Sequence, residues 1–176
     1  AFSDFNFGIG FDSSNSRLYF QRSLIYKQRT EHEKAIADLD EALRLDPQYG
    51  MAYNHRGQAH ALRKEYELAL ADFDQAIRFE PGADAYNQKA WLLATCPDDK
   101  LRNGQTAIEL ATKACQLTDW KNAGWIDTLA AAYAEVGDFD KAVEMQERAL
   151  KGVNSKARKE FEARLELYRE HKPYRE

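Results

Sequence analysis

A spacing of 34 residues organises this chain. Tyr19 and Tyr53 stand that far apart, as do Arg22 and Arg56, Ser23 and Gly57, Ala35 and Ala69, Asp38 and Asp72, Leu39 and Phe73, Ala42 and Ala76, and Pro47 and Pro81. A fixed period with matched residue types marks one structural unit copied in tandem. Each copy leaves an apolar face that only its neighbour covers, so the copies stack.

Within a copy the apolar spacing is helical. The pattern predicts helices over 16–28 and up to Leu45, then 50–63 and 65–79, with Asp46-Pro47 and Glu80-Pro81 as stops. Thr30-Glu31-His32-Glu33 has the form of a capping box at the second helix. A third copy starts at Ala85-Tyr86-Asn87, and the stretch CPDDKLRNG lengthens its inner turn before a helix from Gln105 to about Leu117. A fourth predicts helices over 123–136 and 138–151, with Asp138 as a cap. A last helix, capped by Ser155 and ending near Glu170, carries Ala157, Phe161, Leu165 and Tyr168 on one stripe. Such a helix reads as a lid over an apolar edge.

The marks of the repeat are Tyr53, Gly57, Ala69, Phe73, Ala76 and Pro81, and likewise Tyr19, Ser23, Ala35, Leu39, Ala42 and Pro47. At these residues the chain resembles the tetratricopeptide repeat family, whose unit is a helix-turn-helix with small residues where paired helices approach. The resemblance covers about 16–151 and departs from the pattern in the third and fourth copies. It implies an all-α, right-handed superhelical solenoid of about four hairpins with a C-terminal capping helix. The expected repeats are 16–49, 50–82, 83–122 and 123–154, between an N-terminal arm (1–15) and a capping helix and tail (155–176). The C-terminal half, in the stretches AWLLATCPDDKLRNGQTAIELATKACQLTDW, DTLAAAYAEVGDFDKAVEMQERAL and RLELYREHKPYRE, is similar to a bacterial, planctomycete-type group of such proteins, which implies a natural C-terminus and assigns no activity.

Composition removes several function classes. A net charge of −4 without basic runs leaves no electrostatic footprint for nucleic acid or an anionic membrane surface. No stretch approaches the roughly 18–20 apolar residues of a membrane span. No signal-peptide pattern appears at the start, and the chain begins at Ala1, so the compartment stays open between the bacterial cytoplasm and, with a leader removed, export. Two cysteines, Cys96 and Cys115, are too few for a disulfide scaffold and are expected free. No Gly-rich phosphate loop, paired nucleophile and base, or metal-ligand spacing appears. His55 and His60 are five apart and miss a common helical face, His60 takes the place of Tyr26 one copy earlier, and Asp98-Asp99 reads as an exposed acidic turn. The expectation is a protein without catalytic residues, cofactor or metal.

In arrays of this family the first helix of each repeat lines the concave face, and positions i, i+4 and i+7 share it. That gives Phe20, Leu24 and Lys27; then Asn54 and Gln58 with His55 beside them; then Asn87 and Trp91 with Gln88; and Asp127 in the fourth copy. Asn54 and Asn87 recur at one repeat position, where a carboxamide either hydrogen-bonds the backbone of an extended peptide or stays solvated. Trp91 either supplies a large binding contact or packs against a neighbouring helix. The family's chaperone-binding members hold a carboxylate with Lys, Asn and Arg. Phe20 and Leu24 stand where the first Lys and Asn are expected, so no such clamp is predicted.

The arm differs from everything after it. Phe5, Phe7, Ile9 and Phe11 alternate with Asn6, Gly8 and Gly10, a strand period, which predicts an extended segment. The arm either packs loosely on its own first repeat, as a disordered or trimmed remnant, or docks on a neighbouring copy, and two functions follow. One is an interaction scaffold holding an extended peptide or partner segment in its groove. The other is a self-assembling ring or filament in which the arm docks on a neighbouring subunit.

Overall fold

Each copy closes on itself through one kind of turn. In the computed structural model, which describes residues 2–176 apart from the side chains of residues 2–4 and 6, α2 (Ser16–Gln28) ends as Thr30 enters the left-handed region at φ 59°. Glu31 N–H then donates to the Tyr26 carbonyl at 2.9 Å, and α3 (His32–Leu45) runs back along α2. One period later Lys64 takes φ 62° and Glu65 N–H reaches the His60 carbonyl at 2.9 Å, between α4 (Gly50–Leu62) and α5 (Tyr66–Phe79). This is the Schellman arrangement, which satisfies carbonyls that a helix end leaves without partners. It replaces the capping box expected at Thr30. Three linking residues, Arg29, Thr30 and Glu31, are too few for both a helix exit and a separately side-chain-capped entry. Thr30 is spent on the exit, its hydroxyl donating to the Arg29 carbonyl, and Glu31 caps α3 without a side-chain bond.

The chain divides into two compact units, one ending at Pro81 and one spanning Gly82–Glu176. In the first, Phe20, Leu39, Ala42, Leu43 and Ala52 form a core to which Tyr19, Leu24, Tyr49 and Tyr53 are packed. Gly57 lies against Phe73 so closely that a Cβ there meets the ring at 2.7 Å. The periodic Arg and Asp are a clamp inside each hairpin. Arg22 grips both carboxylate oxygens of Asp38 at 2.8 and 2.6 Å, and Arg56 grips Asp72 at 2.8 and 2.7 Å. Such bidentate pairs fix geometry as well as charge. Arg56 also reaches Asp40 on α3 at 2.7 Å, tying the two hairpins together.

The arm is a helix, α1 (Phe2–Phe11), packed on α2, and not the extended segment the alternation predicts. The reason is geometric. At about 100° per residue, positions 5 and 9 fall on one helical face and 7 and 11 on the other. Alternation over four apolar residues therefore fits a helix as well as a strand. Phe5 and Ile9 are half-buried and Gly8 abuts Leu18, while Phe7 and Phe11 are 78% and 88% exposed. Ala1 and the Asn6 side chain lie outside the described residues.

The second unit holds α6 (Ala83–Thr95), a short 3-10 turn (Asp99–Leu101), α7 (Gly104–Leu117), α8 (Ala123–Glu135), α9 (Phe139–Gly152) and α10 (Ser155–Arg169). The long inner turn is anchored. Asn103 N–H donates to the Leu93 carbonyl at 2.9 Å, and Arg102 bonds the Cys96 carbonyl at 2.8 Å and Glu135 at 3.0 Å. Gly137, at φ 80°, closes α8 by the Schellman bond seen in the first unit, and Asp138 caps α9 as the sequence predicts. Asn154 caps α10 in place of Ser155, which is already helical; its side chain accepts from the Lys156 and Ala157 amides. The expected stripe of α10 is inward, with Phe161, Leu165 and Tyr168 buried. Neither cysteine forms a disulfide, both are fully buried, and burial pushes the Cys115 thiol up to about 11.

Candidate functional site

The residues expected to line a groove fall into two environments. In the first unit, Phe20 is core, with the Tyr49 and His55 rings 5.0 and 5.3 Å away, and Leu24 packs partly on the same cluster. Lys27 donates to the side-chain carbonyl of Gln58. Asn54 is buried between these positions in the repeat. The aromatic groups here are consumed by packing and Lys27 by its bond to Gln58. His60 bonds Glu65 at 2.6 Å, which identifies it as a turn residue.

In the second unit, α6, α8 and α10 converge on a shallow hollow of about 300 Å³, lined by Asn87, Gln88, Trp91, Asp127, Glu160 and Arg164 with the small face of Gly124 and Thr128. Asn87 is buried, and its Oδ1 accepts no hydrogen bond among the described residues. An orphaned buried acceptor costs about 1–3 kcal/mol until a donor reaches it. Asp127, which occupies the repeat position of Asn54 and Asn87, is 4% exposed and already held. Arg164 Nε donates to its Oδ1 at 2.9 Å and Gln146 Nε2 at 2.7 Å, while Gln146 also donates to the Phe161 carbonyl at 3.0 Å. Burial raises the Asp127 carboxyl above its ordinary range, against the lowering pull of Arg164 and Gln146. Burial likewise pushes the neighbouring Tyr168 phenol well up.

Arg164 is the residue that sequence reasoning misses. The helical stripe places charged groups of α10 outward, yet Arg164 is 8% exposed. Its guanidinium lies over the rings of Phe161, Tyr174 and Trp91 at 5.0, 5.4 and 5.5 Å. The arginine is tolerated because its charge meets Asp127 and its flat faces meet aromatic quadrupoles.

The tail is the second missed feature. After His171 reverses the chain at φ 56°, Tyr174–Glu176 lie along the C-terminal end of α6. Trp91 Nε1–H donates to Glu176 Oε2 at 3.0 Å, and the Trp91 and Tyr174 rings are 5.8 Å apart. Glu176 N–H donates to the Thr95 carbonyl at 3.0 Å, Arg175 to the Ala94 carbonyl at 3.4 Å, and Arg175 pairs with Glu135 at 2.5 Å. Helix C-terminal carbonyls lack intrahelical donors and attract cations, so the tail meets both needs of α6. A broader open hollow of about 750 Å³ lies at the turns after α7 and α9. The amides there, Asn122 and Asn154, are spent capping α8 and α10.

Among the described residues no group of three or more His, Cys, Asp or Glu side chains could hold a metal ion, and no helix is long and apolar enough to cross a membrane.

Family models for the TPR repeat and the tetratricopeptide repeat match residues 23–62 and residues 52–82 and 127–151. The chain carries tetratricopeptide repeats. Solved structures agree with this fold. YrrB, a TPR protein with an unusual peptide-binding site, superposes with a TM-score of 0.78 at 19% identity, over 97% of this chain and 84% of that one. MamA gives 0.71 at 21% identity over 92% and 88%, and Pseudomonas aeruginosa pilF gives 0.74 at 21% over 92% and 71%. At such identities the likeness establishes the fold. No curated protein matches the chain.

Proposed function

We propose that this tetratricopeptide-repeat chain is a non-catalytic interaction module that holds an extended segment of another protein on the α6–α8 face. The observation that carries the reading is the unsatisfied Asn87 carbonyl beside Trp91. A peptide backbone N–H satisfies the first and an apolar side chain covers the second, with no demand on peptide sequence at Asn87. YrrB, whose fold this chain shares, has a peptide-binding site, which supports the same use of the fold. The test is selection from a displayed library of random peptides, followed by titration of the selected peptides against Asn87→Ala and Trp91→Ala chains. Each substitution is expected to weaken binding roughly tenfold or more. Unchanged affinity in both sinks the reading.

A second reading rests on Phe7 and Phe11, which present two exposed aromatic rings on one face of α1. Exposed apolar pairs of this kind mark contact surfaces, and α1 then docks on a neighbouring copy to build a ring or filament. Deletion of residues 1–15 is expected to reduce particle size in light scattering, and an unaltered size rejects self-assembly through α1.

A further inference from the structure

The peptide face of the second unit is not bare: it holds a segment of the chain itself. The tail makes the three kinds of contact that a bound peptide makes. A main-chain N–H, that of Glu176, bonds a helix-end carbonyl at Thr95. An aromatic side chain, Tyr174, stacks with Trp91 and Arg164. Charged side chains are read individually, Glu176 by the Trp91 indole and Arg175 by Glu135. The tail itself stays at the surface: Tyr174 and Arg175 are half-buried and Glu176 is exposed, over a half-buried Trp91, and the Thr95 acceptor belongs to a fully buried residue. The tail therefore lies on a surface it can leave without opening the stack of hairpins. Arg164 remains anchored by Asp127 when it does.

We propose that Tyr174–Glu176 are a resident competitor for the α6 face, and that the external partner is an extended segment with an aromatic, a basic and an acidic residue in consecutive positions. The inference rests on the peptide-binding reading above. The chemistry of the partner follows from the groups that hold the tail. Trp91 and Arg164 take a ring, Glu135 takes a cation, and the indole N–H takes a carboxylate. A tethered tail acts at roughly millimolar effective concentration, so an external segment must bind well below that level or engage Asn87 in addition.

The probe is an acetylated, amidated hexapeptide with the sequence of residues 171–176, titrated into the isotope-labelled full chain and its Tyr174→Ala/Glu176→Ala variant. The Trp91 indole N–H resonance is followed. In the variant it is expected to move away from its wild-type position. The peptide is expected to return it, with an affinity roughly tenfold better than for the wild type, whose face is occupied. A scrambled peptide of the same composition is expected to leave it in place. A resonance unmoved by the substitutions, or one that neither peptide or both peptides restore, overturns the proposal. Should the double variant lose its fold, Glu176→Gln, which keeps the main-chain bond to Thr95, is read in the same way. The library-selected peptides separate the two levels of the argument. Equal affinity for wild type and variant overturns the competitor and leaves the peptide site standing. No capture by either protein overturns the site itself.

Discussion

Replacing Arg164 with methionine tests the electrostatics of the second unit. Methionine keeps most of the buried stem and removes the guanidinium, leaving the ionised Asp127 carboxylate, 4% exposed, with Gln146 as its remaining side-chain donor. Breaking a buried pair by deleting one partner costs about 3–5 kcal/mol. For a chain of this size each kcal/mol moves the midpoint by about 2–4 °C, so a fall of roughly 6–20 °C is expected in thermal melts followed by circular dichroism. The pH dependence has a definite sign. The Asp127 carboxyl is already raised by burial, so the folded state holds its proton more tightly than the unfolded state does. Its contribution is therefore most favourable below the unfolded value and declines as pH rises through the folded one. Loss of Arg164 removes a lowering influence and moves that window upward. The deficit of the variant against wild type is thus larger near neutrality than at acidic pH, where protonation relieves the stranded charge. Adding Asp127→Asn to Arg164→Met is expected to recover more than half of the loss. A deficit below about 1 kcal/mol, or one that is the same at both pH values, refutes the assignment of Arg164 as the counter-charge of a buried carboxylate.

Three further outcomes are expected. Thr30→Gly removes a β-branched residue from φ 59° and is expected to stabilise the first unit by about 0.5–1 kcal/mol in urea titration, the relief of the left-handed strain less the added unfolded entropy. Gly57→Ala forces a methyl to 2.7 Å from the Phe73 ring and is expected to cost about 1–3 kcal/mol by the same assay; a neutral result shows that the hairpin gives way freely there. Cys96 and Cys115, both fully buried, are expected to resist a thiol reagent at neutral pH until denaturant is added, and prompt labelling of either contradicts the packed hairpins.

The hairpins are legible in sequence because periodicity, turn chemistry and packing agree. Pro47 and Pro81 follow helix ends, and Ala35, Ala42, Ala69 and Ala76 are buried where helices meet. The arm misleads because Phe5, Phe7, Ile9 and Phe11 satisfy two periods at once, and only contact with α2 decides between them. Thr30 misleads because a threonine beside a helix start is a good cap in isolation, whereas its backbone is already committed to the turn before. Of the candidate site, Asn87 and Trp91 were accessible from repeat position alone. Arg164 and the tail were not. A charged residue on an amphipathic helix reads as outward unless its partner, Asp127, is known to sit 37 positions away with α9 between them. No local pattern announces that Tyr174–Glu176 return to α6.

The Arg22–Asp38 and Arg56–Asp72 clamps have a corollary for how such a chain can lengthen. Each clamp pairs its own Arg and Asp inside a single hairpin, and the added Arg56–Asp40 contact ends on an exposed carboxylate, so a block of that design can be duplicated or excised without stranding a buried ion. Asp127 and Arg164 belong to different segments, with a whole helix between them. A splice falling between α8 and α10 would sever carboxylate from guanidinium. Growth by copying is electrostatically free among the leading hairpins and penalised between α8 and α10, where one charge pair spans the cut.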